Sequence, residues 1–356
     1  MSKIRVAIIF GGTSNEYETS LSSAANIIEN IPKDKYEVIC IGITKKGRWF
    51  YYPGDAEDIK NNKWDKNPDC TPALISPDPL HKGVLKLENG EISRKKIDVV
   101  FSVLYGKKGE DGTLTGILNM SGIPYVGSDL LSSAACMDKS YTRMILGYNG
   151  IKTSNWRMMF RNELNYIENK CNLFINELQY PLIVKPANFG LYKAINKVTD
   201  FDRLKEAVKI ALANDDKIVV EEFIEGREIQ VAIFGYEKPI VSDIGEVIVK
   251  KDDYDFNSIF SKIKFDVNAS IDKNIENQMK EVALKAYKIM GCAGMARIDF
   301  YLTNENQIIL SQVNTMPEFT QDSMYPMLMS KMGMNYTSLI DNLMEKAIEN
   351  SESKYI

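Results

Sequence analysis

The chain has 356 residues, of which 44% are hydrophobic and 26% are charged, a mix typical of globular proteins with a large core. This length indicates two or three domains. The formal net charge of −4 provides no basic excess to match a phosphate backbone, which argues against a nucleic-acid partner.

Cysteine and histidine usage narrows the chemistry further. The five cysteines form no C-x-x-C pair, which indicates reduced thiols in a reducing compartment. The first residues lead into a strand-like stretch without a signal-type segment, and no apolar run approaches about 18 residues. We therefore expect a cytoplasmic protein that does not span a membrane. The single histidine, His81, lies in a proline-rich polar stretch, so histidine metal sites and Ser-His-Asp triads are excluded.

Residues 1–130 alternate short apolar runs with amphipathic segments. In chain order the pattern predicts a strand at 4–10, a helix at 20–30, a strand at Tyr36–Ile43, an apolar strand-like run at 98–104 and a helix at 113–120. Alternation of strands and helices is typical of a parallel sheet with helices on its faces.

Residues 131–215 and 216–356 form two further predicted regions. The first of them is expected to contain the helix Lys139–Tyr148, a strand at 182–185 and a helix at 204–213. The second is expected to contain strands at 217–223, 228–234, 295–302 and 307–313, and helices at 274–289 and 338–349. Both regions therefore mix helices with strands.

Two glycine-containing loops follow predicted strands. Gly11-Gly12 comes directly after the first strand, where backbone N–H groups could face an anion. The stretch is not G-x-G-x-x-G, so an NAD-binding dehydrogenase is a weak alternative. Glu16 and Glu18 come next, at a helix start where carboxylates also simply complement the helix dipole. The loop at 106–113 is, taken alone, best interpreted as a flexible crossover.

Taken together, a series of segments resembles the D-alanine–D-alanine ligases in order and spacing, over nearly the whole chain. The matching segments are residues 10–20, 109–113, 122–127, 137–139, 184–186, 221–228, 296–299 and 313–317. Within that family, Ile41-Gly42-Ile43-Thr44 and the segment after it are similar to the vancomycin-resistance type that makes D-alanyl-D-serine.

The resemblance implies an ATP-grasp fold, which is α/β, with α+β character in the ATP-binding part. An N-terminal parallel-sheet domain (1–130) would precede two sheet-containing domains (131–215 and 216–356) that enclose ATP. The implied reaction activates the carboxylate of one D-amino acid as an acyl phosphate, which the amine of a second then attacks. The resemblance also implies Mg²⁺ as a cofactor, a role in peptidoglycan precursor synthesis and, as an option, a homodimer.

The resemblance also implies roles for individual residues. Lys139 and Lys185 would neutralise ATP phosphate oxygens as point charges. Four residues would line the adenine slot, and Glu228 would accept hydrogen bonds from the ribose; the four are Glu221, Glu222, Phe223 and Ile224.

The same comparison implies the substrate and metal ligands. Glu18 would hold the ammonium of the first D-amino acid, Arg297 would stabilise the tetrahedral oxyanion, and Ser323 would hold the carboxylate of the second substrate. The ligands expected for Mg²⁺ are Asp299, Gln312 and Asn314.

Several positions depart from the family pattern at functional points. Gln312 replaces a glutamate, Glu318 replaces a glycine and Tyr105 replaces a histidine. The phosphate-covering loop at 190–194 loses its serines and one glycine, and the lid places Ile259 and Phe260 where a Lys-Tyr pair is expected.

Two hypotheses remain from the sequence. A working ligase is favoured by the retained charged residues, which are Lys139, Lys185, Glu228, Arg297 and Asp299. A non-catalytic relative that binds nucleotide or a D-amino acid, or serves as a partner subunit, is favoured by Gln312, Glu318 and the altered glycine loop.

Overall fold

The computed structural model describes residues 2–188, 194–248 and 264–353, and these residues form three β-sheets with flanking helices. The sheets follow one another along the chain. The chain is therefore mixed α/β, with a parallel-containing N-terminal part followed by two further sheet-containing parts.

The N-terminal sheet has seven strands in the order β6-β5-β4-β3-β2-β1-β7. Their bounds are β1 Ile4–Gly11, β2 Tyr36–Ile43, β3 Trp49–Tyr52, β4 Thr71–Ile75, β5 Gly83–Glu88, β6 Glu91–Lys96 and β7 Val99–Ser102. Only β2, β1 and β7 are parallel, as predicted. The other four extend the sheet in antiparallel fashion, which the sequence analysis did not predict.

Several helices lie between β1 and the first strand of the central sheet. Their bounds are α1 Tyr17–Asn30, α2 Ala56–Lys60, α3 Thr113–Ser121, α4 Leu130–Met137 and α5 Lys139–Tyr148, with a 3₁₀ turn at Trp64–Lys66. Asp138 separates α4 from α5, and its Oδ1 accepts from the backbone N–H groups of Ser140 (2.9 Å) and Tyr141 (3.2 Å). This N-cap fixes Lys139 as the first residue of α5.

The central sheet has four strands in the order β10-β9-β11-β8. Its elements are β8 Trp156–Phe160, a 3₁₀ helix Arg161–Tyr166, α6 Ile167–Glu177, β9 Leu182–Pro186, β10 Asn196–Val198, α7 Phe201–Asn214 and β11 Lys217–Glu222. The predicted boundary at residue 215 divides this sheet, because β11 pairs antiparallel with both β8 and β9. The central sheet therefore extends to Glu222.

The C-terminal sheet has five strands in the order β14-β13-β12-β15-β16. Its elements are β12 Arg227–Gly235, β13 Ile240–Ile248, β14 Lys264–Asp266, α8 Lys273–Ile289, β15 Gly294–Leu302, β16 Ile308–Asn314, α9 Met324–Lys331 and α10 Tyr336–Ser353. Helix α8 covers one face, where Met279, Ala283 and Ala286 are fully buried. Period-3.6 apolar patterning of this kind is what the sequence predicted for that helix.

A shared hydrophobic core joins the N-terminal and C-terminal parts. Val6 and Ile8 of β1 belong to the same buried cluster as Leu339 and Leu343 of α10, and all four side chains are fully buried. Because the core is continuous, the loops after β1 and β7 are held against the segment that follows β16. Within the described residues, no helix combines the length and apolar character needed to cross a membrane.

Candidate functional site

Two groups of charged side chains lie side by side where the three sheets approach one another. We call the first the cationic end, and it consists of Lys139, Arg143 and Lys185 around Glu221. We call the second the acidic end, and it consists of Glu16, Glu110 and Glu318. Lys139 connects the two ends, because its charge acts on both Glu16 and Glu110.

Lys139 is half-buried at the start of α5, and its Nζ lies 3.5 Å from the carbonyl oxygen of Ala187. Burial, together with the nearby positive charges of Lys185 and Arg143, lowers the pKa of Lys139 to about 8, against the opposing effect of Glu221. Cations that are held together despite mutual repulsion are expected where an anion binds.

Glu221 is the buried anion of the cationic end. It forms ion pairs with both Arg143 and Lys185, and it accepts a hydrogen bond from Ser154 Oγ at 2.7 Å. Burial alone would raise the pKa of Glu221, but Arg143 and Lys185 lower it to about 2. For Lys185 the effect of burial has the opposite sign. Burial lowers the pKa of Lys185, and the Glu221 charge opposes this lowering. The side chain of Glu221 is therefore engaged with cations, and its backbone lies in β11 between the paired strands β8 and β9.

The cationic end carries more positive than negative charge. Three cationic side chains surround one carboxylate, and within the described part of the chain the buried Nε of Arg143 has no hydrogen-bond partner. Cations held this close repel one another, so such an arrangement favours binding of a polyanion. A nucleotide phosphate chain has the required charge and oxygen acceptors.

The segment after Glu221 leaves the end of β11, which lies between β9 and β8 in the central sheet. The Glu222 carboxylate accepts from Asn155 Nδ2 at 2.8 Å and from the Gln179 backbone N–H at 2.9 Å. Lys197 Nζ lies 3.4 Å from the centroid of the Phe223 ring. Ile224 is half-buried. The structure thus places the four predicted adenine-slot residues in one continuous segment beside the cationic end.

Arg297 and Asp299 lie on one face of β15 and form a bidentate ion pair, with Nε to Oδ1 at 2.7 Å and Nη2 to Oδ2 at 2.8 Å. Glu228 of β12 lies close enough to be affected by both. Burial raises the pKa of Glu228 and so does the Asp299 charge, whereas Arg297 lowers it. The three residues form a charged strip on the C-terminal sheet, next to both ends of the site.

The three predicted metal ligands are neighbours on this sheet. Gln312 is opposite Asp299 in the β15–β16 register, and Asn314 is opposite Arg297. Asn314 Oδ1 accepts from the Met316 backbone N–H at 3.0 Å. Opposite residues of paired strands share a face, so the sheet brings the predicted ligands together.

These donors fit one Mg²⁺ ion better than two. Asp299 is the only carboxylate of the three predicted ligands, and Arg297 already shares its charge. Within residues 2–188, 194–248 and 264–353, no group of three or more His, Cys, Asp or Glu side chains could hold a metal ion. Gln230, opposite Asp299 on β12, has a buried Oε1 without a hydrogen-bond partner in the same ranges, so it adds a neutral oxygen.

The acidic end begins with two carboxylates on either side of Gly106. Gly106 donates its backbone N–H to Glu110 Oε2 at 2.5 Å, and a Cβ at Gly106 would lie 3.2 Å from Glu16 Oε2. Burial, together with the Glu16 charge, raises the pKa of Glu110 to about 8. Burial raises the pKa of Glu16, with a further contribution from Glu318. The paired carboxylates are suited to bind an ammonium group.

Glu318 completes the acidic end from the turn after β16. Burial raises the pKa of Glu318, while the Arg297 charge and a hydrogen bond with the Ser323 hydroxyl lower it. Ser323 Oγ also lies 2.5 Å from Thr320 Oγ1. Tyr105 holds this turn in place, because its hydroxyl accepts from the Phe319 backbone N–H at 3.0 Å.

Glu18, the residue expected to hold the first ammonium, lies outside this group. Its side chain is 63% exposed and pairs with Lys45 Nζ at 2.6 Å. Helix α1 begins at Tyr17, and Glu18 in its first turn points toward solvent. Glu16 precedes the helix and lies within electrostatic reach of Glu318 in the acidic end. The structure therefore favours Glu16 over Glu18 for this role.

Several residues named from the sequence lie near one another, and two further residues belong to the same group. The described structure groups Arg297, Asp299 and Ser323 with Glu16, Glu110 and Arg143, and of these Glu110 and Arg143 had no role assigned from the sequence. The altered loop at 190–193 and the lid residues Ile259 and Phe260 lie outside the described residues. Arg143 could have been found from its position one helical turn after Lys139, which places both residues on the same face of α5.

Comparison with known proteins agrees with this geometry. The family described as D-ala D-ala ligase N-terminus matches residues 5–128, and the family described as D-ala D-ala ligase C-terminus matches residues 145–345. A D-alanine–D-alanine ligase of Caldicellulosiruptor bescii is 41% identical, covering 99% of this chain and 98% of that protein.

Solved structures extend the similarity to the fold. The VanG D-Ala:D-Ser ligase from Enterococcus faecalis has a TM-score of 0.89 at 36% identity, covering 97% of this chain and 100% of that chain. The D-alanine–D-alanine ligase from Bacillus anthracis complexed with ATP has a TM-score of 0.71 at 26% identity, covering 99% of both chains.

Proposed function

The chain belongs to the D-alanine–D-alanine ligase family, and on this premise we propose that it is an ATP-dependent ligase that joins D-alanine to D-alanine or D-serine. The product would serve peptidoglycan precursor synthesis, and the enzyme would act in the cytoplasm, where ATP is available. The observation that carries the proposal is the cationic end, where Lys139, Arg143 and Lys185 lie close together around Glu221. The homodimer expected from the family stays a prediction.

In this proposal the cationic end holds the phosphate chain of ATP. Lys139 and Lys185 approach from α5 and β9, so they can contact phosphate oxygens from two sides. Burial strengthens each of these charge–charge contacts, because little water screens them. The segment Glu221–Ile224 would take the adenine, and Glu228 would accept from the ribose hydroxyls.

The acidic end would hold the first D-alanine through its ammonium group, with Glu16 as the main partner. A carboxylate oxygen of D-alanine attacks the γ-phosphorus, and ADP leaves with the electron pair of the broken P–O bond. The deprotonated amine of the second substrate then attacks the acyl carbon. The C–N bond forms, the C–O bond to phosphate breaks, and the surplus proton passes to solvent.

Arg297 would stabilise the oxyanion that forms on the acyl carbon. Its guanidinium is held rigidly by Asp299 and lies within electrostatic reach of both Glu110 and Glu318. A prearranged donor of this kind is worth about 3–4 kcal/mol in the transition state. One Mg²⁺ held by Asp299, Gln312 and Asn314 would supply additional neutralisation of phosphate charge.

The test is ADP release from Mg²⁺-ATP with D-alanine alone and with D-alanine plus D-serine, against a control without amino acid. We expect ADP release that depends on D-alanine, together with formation of a dipeptide detected by mass spectrometry. Folded protein that releases no ADP at saturating ATP and D-alanine would contradict the proposal.

A second candidate function is a non-catalytic relative that binds nucleotide or a D-amino acid. It is supported by the neutral Gln312 beside Asp299 and by Glu318 at the Ser323 hydroxyl. Calorimetric titration of ATP with and without Mg²⁺ separates the two. A ligase should bind ATP more tightly with the metal, whereas metal-independent binding without turnover would favour the second function.

A further inference from the structure

A buried ion pair lies at the N-terminus of α5, next to the cationic end. Lys217 Nζ of β11 lies 2.5 Å from Asp138 Oδ2, and the two side chains are only 9% and 7% exposed. The Lys217 Nζ also lies 4.2 Å from the centroid of the Tyr141 ring. Because both ions lose their water, a buried ion pair adds little net stability. The position of this pair therefore indicates a role beyond stability, and the proposed function assigns none to Lys217.

The two carboxylate oxygens of Asp138 have different partners. Oδ1 accepts from the backbone N–H groups of Ser140 and Tyr141, and from the Ser140 hydroxyl at 2.6 Å, so it caps α5. Oδ2 forms the ion pair with Lys217. The carboxylate thus connects the start of α5 to the start of β11, and the orientation of the cap depends on both contacts.

Ala187, which directly follows β9, forms a second connection between the same elements. Its backbone N–H donates to the Lys217 carbonyl oxygen at 2.9 Å, and its own carbonyl oxygen accepts from the Lys139 backbone N–H at 3.0 Å. Lys139 Nζ lies 3.5 Å from that same oxygen. Lys217 therefore contacts both neighbours of the Lys139 backbone, Asp138 through its side chain and Ala187 through its carbonyl group.

Loss of the Lys217 ammonium would act on Lys139 before the other cations. Asp138 would stay buried with its Oδ2 unpaired, and a buried carboxylate without a cation shifts toward water or binds a proton. Either change disturbs the cap that immediately precedes Lys139. Arg143 lies one helical turn later and is held separately by its ion pair with Glu221.

We propose that Lys217 is a positioning residue for nucleotide binding, whose ion pair with Asp138 places the Lys139 ammonium against the phosphate chain. Lys217 acts through Asp138 and does not itself contact the nucleotide. This inference rests on the nucleotide site of the proposed function and does not require the ligase reaction.

The experiment is a double-mutant cycle measured by calorimetric titration of ADP in the presence of Mg²⁺. Lys217→Met and Lys139→Met should each raise the Kd for ADP by roughly tenfold or more, because each weakens the same phosphate contact. The combined variant should bind ADP within about twofold of Lys139→Met, since no Lys139 ammonium is left to position. Lys209→Met, on the exposed face of α7, is the matched control and should leave the Kd unchanged. Losses that multiply in the combined variant, or an unchanged Kd in Lys217→Met, would overturn the proposal.

Steady-state kinetics separates positioning from a general loss of structure. With Mg²⁺-ATP and D-alanine, Lys217→Met should raise KM for ATP roughly tenfold and change KM for D-alanine less than about twofold, because only the phosphate contact is weakened. Parallel increases in both KM values would show a general structural defect and would overturn the positioning role. Lys217→Gln, which is polar, uncharged and shorter, replaces Lys217→Met in both experiments if Lys217→Met does not fold, with the same expected results.

The outcomes also distinguish this inference from the ligase proposal. ADP binding that follows the cycle in a protein without turnover would support the positioning role and contradict only the ligase reaction. Turnover together with losses that multiply would support the ligase and overturn the role of Lys217. Wild-type protein that binds no ADP would contradict both.

Discussion

The cationic end and the acidic end differ in how their charges are balanced. Around Glu221, Arg143 and Lys185 form ion pairs with the carboxylate, and its pKa is driven down to about 2. Around Gly106, two carboxylates lie near each other and the pKa of Glu110 is driven up to about 8. One end therefore holds excess positive charge, and the other releases part of its negative charge by binding protons.

This difference indicates which ligand group each end can accept. A polyanion relieves the repulsion among the buried cations, and an ammonium group relieves the repulsion between carboxylates. ATP and the amine groups of two D-amino acids have these properties. The opposite charges of the two ends, rather than any one residue, determine how the ligands are oriented. Phosphate groups are expected at the cationic end and amines at the acidic end.

The largest expected effect comes from removing a cation at the cationic end. Lys139→Met should lower kcat/KM for ATP roughly 100- to 1000-fold, because a buried phosphate contact is lost in the transition state. Steady-state ADP release measures it. Lys209→Met, on the exposed face of α7, is the matched control and should change kcat/KM less than about twofold. Equal effects of Lys139→Met and Lys209→Met on kcat/KM would contradict a phosphate-binding role for the cationic end.

The next effect distinguishes the two candidate carboxylates at the acidic end. Glu16→Gln should raise KM for the first D-alanine roughly 10- to 100-fold, because a charged partner of the ammonium is lost. Glu18→Gln is the matched variant and should have little effect, since Glu18 pairs with Lys45 in solvent. Initial rates over a range of D-alanine concentrations measure both. The reverse ranking would restore the role predicted for Glu18.

Gln312→Glu tests whether the neutral Gln312 weakens Mg²⁺ binding. An added carboxylate opposite Asp299 should lower the Mg²⁺ concentration at half-maximal ATP binding roughly tenfold. Calorimetric titration of ATP at a series of Mg²⁺ concentrations measures it. Gln307→Glu, in the turn before β16, makes the same chemical change away from the site and should have no effect.

Combining Gln312→Glu with Glu318→Gly should raise turnover, and a double variant equal to the parent would show that neither position limits it.

Glu110 links the acidic end to stability. Its pKa is about 8 in the fold and near 4.5 when unfolded, so between these values the unfolded chain loses the proton while the folded chain keeps it. The free energy of unfolding should therefore fall as pH rises through this window.

Glu110→Gln removes this pH dependence. Relative to wild type, its unfolding free energy should rise from about pH 4.5 and level off above about pH 8, by about 2–4 kcal/mol. Urea unfolding at a series of pH values measures it, with the exposed Glu225→Gln as control. A constant difference across the window would contradict the raised pKa.

The elements that could be predicted from sequence are those with a clear apolar period. α5 and α8 follow the pattern closely because each buries one regular face, and β2 does so because it is a short apolar run that is buried continuously from Ile39 to Ile43. β6, with the sequence EISRKK, was missed because its side chains are mainly exposed. Its pairing with β5 supplies the stability that its own composition does not.

The sequence named candidate site residues where the motifs of the family resemblance contain them, and it left out residues that only packing brings together. Lys139, Lys185 and Arg297 were named from that resemblance. The choice of Glu16 over Glu18 depends on where α1 begins. The acidic character of Glu110 depends on burial and on the approach of Glu16, which come from separate loops. Contacts of this kind are tertiary and have no local sequence pattern.

The most direct test of the central contrast is a crystal structure of the protein with ADP, Mg²⁺ and D-alanine. We predict that phosphate oxygens lie within hydrogen-bonding distance of Lys139 Nζ and Lys185 Nζ, and that the D-alanine ammonium contacts Glu16. A nucleotide whose phosphates contact neither lysine, or a D-alanine ammonium bound at Glu18, would contradict the account.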